Sequence, residues 1–268
     1  MQNEINIPII LDAVRKVGNV FLKDYKQNAI PQTMDELLKQ LEDIDTLCLS
    51  SLKEDLTLQY PNIPWHIGDE FDTDSQRNPS DDEDYWLCDA MDGAIQYLQH
   101  IAGWTINLAL IRHGKPLFSV IFDPLANEMF WAKDGEGAFM NGKLLELSNK
   151  TDQSVMLAVF EYGHQDKSNN DLNKKIGTTV TNLIQNFGIV RNYGPHGLQL
   201  AYVGAGRIDL FVQEDLDTYN WIAGLLIAKE AGAKILTTTG TPWKWGSESL
   251  LVAQKSITEK YLQIKSIN

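Results

Sequence analysis

Two aspartates three residues apart, Asp89 and Asp92, close an apolar run and precede a glycine, in Trp86-Leu87-Cys88-Asp89-Ala90-Met91-Asp92-Gly93-Ala94. A strand that delivers carboxylates into a glycine turn gathers hard oxygen ligands of the kind that hold a divalent cation, and a cation so held can activate water for hydrolysis. A second acidic pair, Asp69-Glu70, follows Gly68 at the end of a short apolar segment. Taken singly, each signal is weak. A D-x-x-D-G also occurs as a plain capped turn, and Gly-Asp-Glu as a polar loop end.

These residues need elements to position them. Apolar Ile10, Val14, Val17 and Phe21 predict a helix over 7–27. A second helix over 34–58 places Leu37, Leu38, Leu41, Ile44, Leu47 and Leu52 on one face and is ended by Pro61. A strand over 64–68 leads to Asp69-Glu70. Residues 72–84 are polar and acidic and read as a mobile loop. Strands over 85–88, 105–112, 116–123 and 128–133, with a hairpin at 135–142, form an antiparallel meander. Beyond 148 the pattern changes. Strands at 155–160, 188–192, 208–213, 234–236 and 250–253 alternate with helices at 169–186, 198–204, 218–232 and 256–265, which predicts a layered α/β unit. Within one compact unit, an N-terminal α+β half (1–148) carries the acidic motifs and a C-terminal α/β half (149–268) faces them.

Bulk properties bound the partners. The 268 residues suffice for one large domain with an ample core, and 43% hydrophobic with 22% charged residues is ordinary for a globular chain. A net charge of -13 argues against nucleic acid or an anionic membrane as partner. A phosphorylated substrate stays open, because bound metal inverts the sign of a carboxylate cluster. Cys48 and Cys88 lie in apolar contexts and read as two buried thiols, which points to a cytoplasmic protein. No basic segment precedes the first apolar residues, and no apolar run reaches membrane-spanning length.

The order of these motifs resembles the inositol monophosphatase family, of the Mg²⁺-dependent, lithium-sensitive phosphatase superfamily, over nearly the whole chain. The family reads Gly-Glu-Glu, then Asp-Pro-Ile-Asp-Gly-Thr, then a late Trp-Asp opening a helix that ends in Glu-Ala-Gly. Here the regions read Gly68-Asp69-Glu70, Asp89-Ala90-Met91-Asp92-Gly93-Ala94, and Tyr219-Asn220-Trp221-Ile222-Ala223-Gly224 with Glu230-Ala231-Gly232. Phe122-Asp123-Pro124, the 135–142 hairpin and Gly206-Arg207-Ile208-Asp209 also match. The resemblance implies an α+β fold, a five-layered αβαβα sandwich of the inositol monophosphatase and fructose-1,6-bisphosphatase type. It also implies Mg²⁺-dependent hydrolysis of a small phosphomonoester, with Mn²⁺ as an alternative cofactor, often by a homodimer.

Carried over residue by residue, Asp69, Asp89 and the Met91 carbonyl would hold one cation. Asp89 would bridge to a second cation held by Asp92 and position 220. Asp45 would orient the attacking water, and the amides of Gly93 and Ala94, opening a short helix, would cradle the phosphate. Asp92, Gln213 and Asn220 fall on the substrate side; His196 reads equally as a phosphate contact or general acid there and as a residue that only fills a turn. Glu70 and Asp217 would support the ligands from behind; for Asp217 the reading as N-cap of the 218–232 helix is preferred.

The pattern is broken where chemistry happens. Asp69 stands for a glutamate and Ala90 for a proline. Ala94 replaces the threonine whose hydroxyl positions water, and loss of such a group costs about 10²–10⁴-fold in rate. Asn220 replaces a ligating aspartate and brings no charge. Gln213 stands where sugar-specific relatives have a glutamate, and Glu214, one residue on, would point to the opposite face. Gly194-Pro195-His196-Gly197 replaces a Gly-Ser/Thr-Ala-Ala pattern. Two functions follow: a phosphatase of altered rate or specificity, or an impaired relative that keeps the fold and binds metal or a phosphorylated ligand.

Overall fold

A computed structural model of the chain describes residues 5–67, 73–80, 82–163 and 168–267. The amphipathic N-terminal segments form α1 (Ile7–Asp24) and α2 (Met34–Leu56), and the Thr33 hydroxyl caps α2 by accepting from the Glu36 amide. A short β1 (Trp65–Ile67) and α3 (Thr73–Arg77) precede β2 (Asp84–Asp92) and α4 (Ala94–Leu98). The meander follows as β3 (Thr105–Arg112), β4 (Lys115–Asp123), β5 (Glu128–Lys133), β6 (Gly137–Met140) and β7 (Lys143–Leu144). The rest comprises β8 (Leu157–Glu161), α5 (Asn170–Asn186), β9 (Ile189–Arg191), α6 (His196–Gly204) and β10 (Leu210–Gln213). It ends with α7 (Thr218–Glu230), β11 (Lys234–Leu236), β12 (Leu250–Ala253) and α8 (Lys255–Ile267).

The first seven strands form one sheet in chain order, antiparallel except for the parallel β1–β2 pair. The second sheet runs β11-β12-β10-β8-β9, with β8 parallel to both its neighbours and β12 antiparallel to both of its own. The layers follow from what each face buries. Val14, Val17, Cys48 and Leu52 of α1 and α2 pack on Trp86, Leu108 and Val120 of the first sheet. Its other face packs Ile121 and Phe130 against Leu198 of α6 and Leu226 and Ile227 of α7. Phe211 and Val252 meet the far side of α6 and α7 at Leu200 and Trp221, while Leu210 and Val212 meet Leu183 of α5 and Tyr261 of α8. The result is the αβαβα sandwich expected from the resemblance. The central α7 is buried along most of its length, which explains its small residues. A Cβ on Gly224 would come 2.5 Å from the Leu200 Cβ and 2.8 Å from the Gly197 carbonyl oxygen.

Three expectations need correction. Leu38 and Leu47 are 58% and 42% exposed, since α2 is buried along the Ile44-Cys48-Leu52-Leu56 stripe only. The segment 72–84 is not simply a loop. Residues 73–77 form α3, held by contacts to α7 described below, while Asp72 and Asp81 lie outside the described residues. Finally, β2 runs to Asp92 instead of stopping at Cys88, so the aspartates are part of the strand.

Candidate functional site

In a regular strand, residues three apart face opposite ways. Asp89 and Asp92 escape this because β2 carries a bulge: Asp89 pairs with Asn107 and Asp92 with Thr105, three steps on one strand against two on the other. Both carboxylates therefore reach Asn107, whose Nδ2 lies 3.4 Å from Asp89 Oδ2 and 3.1 Å from Asp92 Oδ2. Thr105 Oγ1 donates to Asn107 Oδ1 at 2.9 Å and so points the Asn107 amide nitrogen at the aspartates. The bulge is held from behind by Cys48, whose thiol donates to the Ala90 carbonyl at 2.8 Å. Cys48 and Cys88 are buried free thiols, as the sequence suggested. Asp45, exposed one helical turn before Cys48, and Asp89 both add to the rise of the Cys48 pKa, behind a contact with Cys88 and burial. Gly93 then turns the chain at φ +86°, where a Cβ would meet the Gly103 carbonyl oxygen at 2.6 Å, and α4 begins at Ala94.

The opposite wall comes from the starts of α6 and α7. Gly197 N donates to Asp92 Oδ2 at 2.8 Å. A side chain at 197 would disturb this approach, because its Cβ would lie 2.7 Å from Asn107 Nδ2 and 2.9 Å from the same Asp92 oxygen. Buried Glu161 anchors the preceding loop, accepting from Gly194 N at 3.0 Å, Asn192 Nδ2 at 2.7 Å and Gln199 Nε2. His196 is thereby carried inward. Its Nε2 stands 3.4 Å from Asp217 Oδ2, yet it is buried and lacks a hydrogen-bond partner. Asp217 occupies the N-cap position of α7, but its side chain caps nothing. The open amide of Tyr219 is taken instead by Gln76 Oε1 at 3.2 Å, and Thr218 Oγ1 donates to the Gln76 carbonyl at 2.8 Å. The Asp217 carboxylate is thus released to the site, where it accepts from Gln213 Nε2 at 3.0 Å and Asn220 Nδ2 at 2.7 Å. Gln213 Oε1 accepts from Trp221 Nε1 at 2.7 Å.

The electrostatics are those of a cluster short of positive charge. Burial raises the Asp92 pKa from 3.8 to about 6, only partly opposed by His196 and the Gly197 and Asn107 hydrogen bonds. Burial also raises that of Asp215, whose Oδ2 accepts from Gly163 N at 2.6 Å. For His196 desolvation pulls downward, but the charges of Asp217, Asp92, Glu161 and Asp215 outweigh it and the pKa rises.

The structure brings Asp89, Asp92, His196, Gln213, Asp217 and Asn220 together across the two sheets. Asp69 and Glu70 lie outside the described residues. Sequence reasoning missed Asn107, Glu161 and Gln76. The one available signal was a lone polar Asn107 inside the apolar strand Thr105–Arg112. Among the described residues, no group of three or more His, Cys, Asp or Glu side chains converges to hold a metal ion. On the resemblance, Asp89 and the Met91 carbonyl would be the hard-oxygen donors to one Mg²⁺. The donors assigned to a second cation do not suit one. Asn220 turns its amide nitrogen to Asp217, Asp92 Oδ2 accepts from Gly197 and Asn107, and the His196 ring stands beside them.

Comparison with known proteins places these features. The model of the inositol monophosphatase family matches residues 4–267. A Xylella fastidiosa protein named Nus factor SuhB is 26% identical over 235 residues, covering 87% of this chain and 82% of the relative. A Thermotoga maritima fructose-1,6-bisphosphatase/inositol-1-monophosphatase is 26% identical over 179 residues, 67% of this chain and 66% of the relative. The solved structure of a Thermotoga maritima IMPase superposes with a TM-score of 0.78 at 21% identity, covering 97% of this chain and 96% of that one.

Proposed function

The chain belongs to the inositol monophosphatase family, and we propose that it binds a small phosphorylated ligand in the family's pocket while hydrolysing it far more slowly than a two-cation phosphatase. The family is generally Mg²⁺-dependent. A cation held by Asp89 and the Met91 carbonyl would neutralise phosphate charge in a pocket that otherwise repels anions. The Gly93 and Ala94 amides would receive the phosphate oxygens, with His196 at the far wall.

One observation carries the reading: Asn220 Nδ2 donates to Asp217 Oδ1 at 2.7 Å. The position that should supply an anionic ligand close to the scissile bond instead carries a neutral amide whose nitrogen is tied to Asp217. Ala94 adds to it, since a methyl group cannot hand a proton or orient water. The test is phosphate release from inositol 1-phosphate, adenosine 3',5'-bisphosphate, fructose 1,6-bisphosphate and histidinol phosphate, with and without Mg²⁺ or Mn²⁺. The expected result is a flat panel, with a raised melting temperature when an ester and Mg²⁺ are present together. Metal-dependent turnover near the ordinary enzymic range of about 1–10 s⁻¹ overturns it.

The relatives favour a second reading. Proteins named Nus factor SuhB match over most of both lengths, 95% of this chain and 93% of the Pasteurella multocida relative. A transcription-related role by protein contact needs no turnover, and the charge of -13 directs such contact to protein instead of nucleic acid. Adding the purified chain to a transcription elongation and termination assay tests this. An unchanged termination pattern removes it.

A further inference from the structure

The resemblance gives the second cation three anionic partners, and this chain keeps Asp89 and Asp92 but has an amide at position 220. Asp92 Oδ2 is held by the first turn of α6 through Gly197 N at 2.8 Å and by Asn107 Nδ2 at 3.1 Å. Position 220 is an amide facing Asp217. Asp217 in turn accepts from Gln213 and lies 3.4 Å from His196 Nε2. His196 therefore sits where Asp92 and the turn from Asp217 to Asn220 face each other. Its Nε2 is a buried polar atom without a hydrogen bond, held only by the charges around it, with Asp217 at 3.4 Å. Glu161 ties the chain on either side of it, at Asn192, Gly194 and Gln199, and so fixes the backbone that carries the ring.

We propose that this chain has one divalent-cation position instead of two, because the His196 side chain fills the place of the second cation and Asn220 removes its charged ligand. The two changes work as a pair. Restoring Asp at 220 alone leaves the ring in the way, and removing the ring alone leaves the site without its carboxylate. This rests on the family pocket described above but not on its turnover.

The experiment is Mn²⁺ titration of the full chain followed by electron paramagnetic resonance, which counts bound ions. It also detects spin coupling between two ions at the roughly 3.5–4 Å of a two-metal site. The wild-type chain is expected to bind one Mn²⁺ with no coupled signal, and a wild type that binds none overturns the proposal. Asn220→Asp is expected to keep the wild-type count. His196→Ala with Asn220→Asp is expected to bind one ion more and to show coupling. Two coupled ions on the wild type overturn the proposal without recourse to any variant. So does a second ion gained by Asn220→Asp alone, or a folded double variant that gains none. Phosphate release measured on the same samples separates the two readings. Turnover with a single bound ion sinks the slow-hydrolysis reading and leaves the single-cation inference, while two coupled ions without turnover do the reverse.

Discussion

Gln213 and Glu214 are neighbours at the end of β10, yet they serve two different polar clusters. Glu214 points between α5 and α8. It pairs there with Lys175 and Lys265 at 2.8 Å each and accepts from Thr179 Oγ1 at 2.6 Å and Thr238 Oγ1 at 2.7 Å. Burial alone would raise its pKa, but these four partners outweigh burial and lower it. Gln213 points the other way, into a cluster of Asp92, Asp215, Asp217 and Glu161 that has His196 as its one nearby basic side chain among the described residues. One cluster is closed, with every carboxylate oxygen answered by a donor or a cation. The other keeps Asp92 raised to about 6 and leaves His196 Nε2 and Asp215 Oδ1 without hydrogen bonds. A polar group buried short of partners costs stability, and a fold retains such a cluster where it binds something.

The comparison can be broken most sharply from the binding side. Ala94→Thr, Asn220→Asp and His196→Ala together should return the water-orienting hydroxyl, the missing carboxylate and the space for a cation. Metal-dependent phosphate release should then rise about 10²-fold or more over wild type; no rise in a folded protein would mean the pocket was remodelled for another purpose. The closed cluster should respond in stability instead. Glu214→Ala leaves two lysines and two hydroxyls facing an apolar gap, and chemical denaturation should show a loss of about 3 kcal/mol.

Acid should divide the clusters by sign. Glu214 has a folded pKa below its ordinary 4.5, so its stabilisation is full above that pH and is lost as pH falls through the depressed value. Asp92 is raised from 3.8 to about 6, so the folded state takes up a proton the unfolded chain does not, and its cost appears as pH rises through that window. Asp92→Asn should therefore stabilise the protein at pH 8 by about 1–3 kcal/mol and give no gain at pH 4. Thermal melts at the two pH values that show equal effects would refute the buried, raised carboxylate. The smallest effect is expected from Lys175→Ala, about 1 kcal/mol, because its side chain is 43% exposed and Lys265 stays in place. A loss as large as that of Glu214→Ala would show that the two lysines do not share the load.

Much of this was legible in the sequence. The strands Thr105–Arg112 and Glu128–Lys133 and the short strand Leu250–Ala253 announce themselves by apolar runs between turn residues. The opposition of Gln213 and Glu214 follows from the two-residue period of a strand. Helix faces were less legible. Leu38 and Leu47 fit an amphipathic pattern but stay exposed, because spacing says which residues share a face and not how far the neighbouring layer extends.

What the sequence determined by itself was local periodicity, the order of the motifs and, through them, the family and the layered α+β architecture. It also marked positions 94, 196, 213 and 220 as altered, because residue type alone decides whether a hydroxyl or a charge is there to be used. Only the tertiary structure decided what the altered residues do. The β2 bulge brings Asp89 and Asp92 to one side, Gln76 frees Asp217 from capping by taking the Tyr219 amide 143 positions away, and Glu161 and Gly197 set His196 against the acidic cluster. Each of these depends on elements far apart in the chain meeting at hydrogen-bond distance, and local pattern carries no record of such meetings.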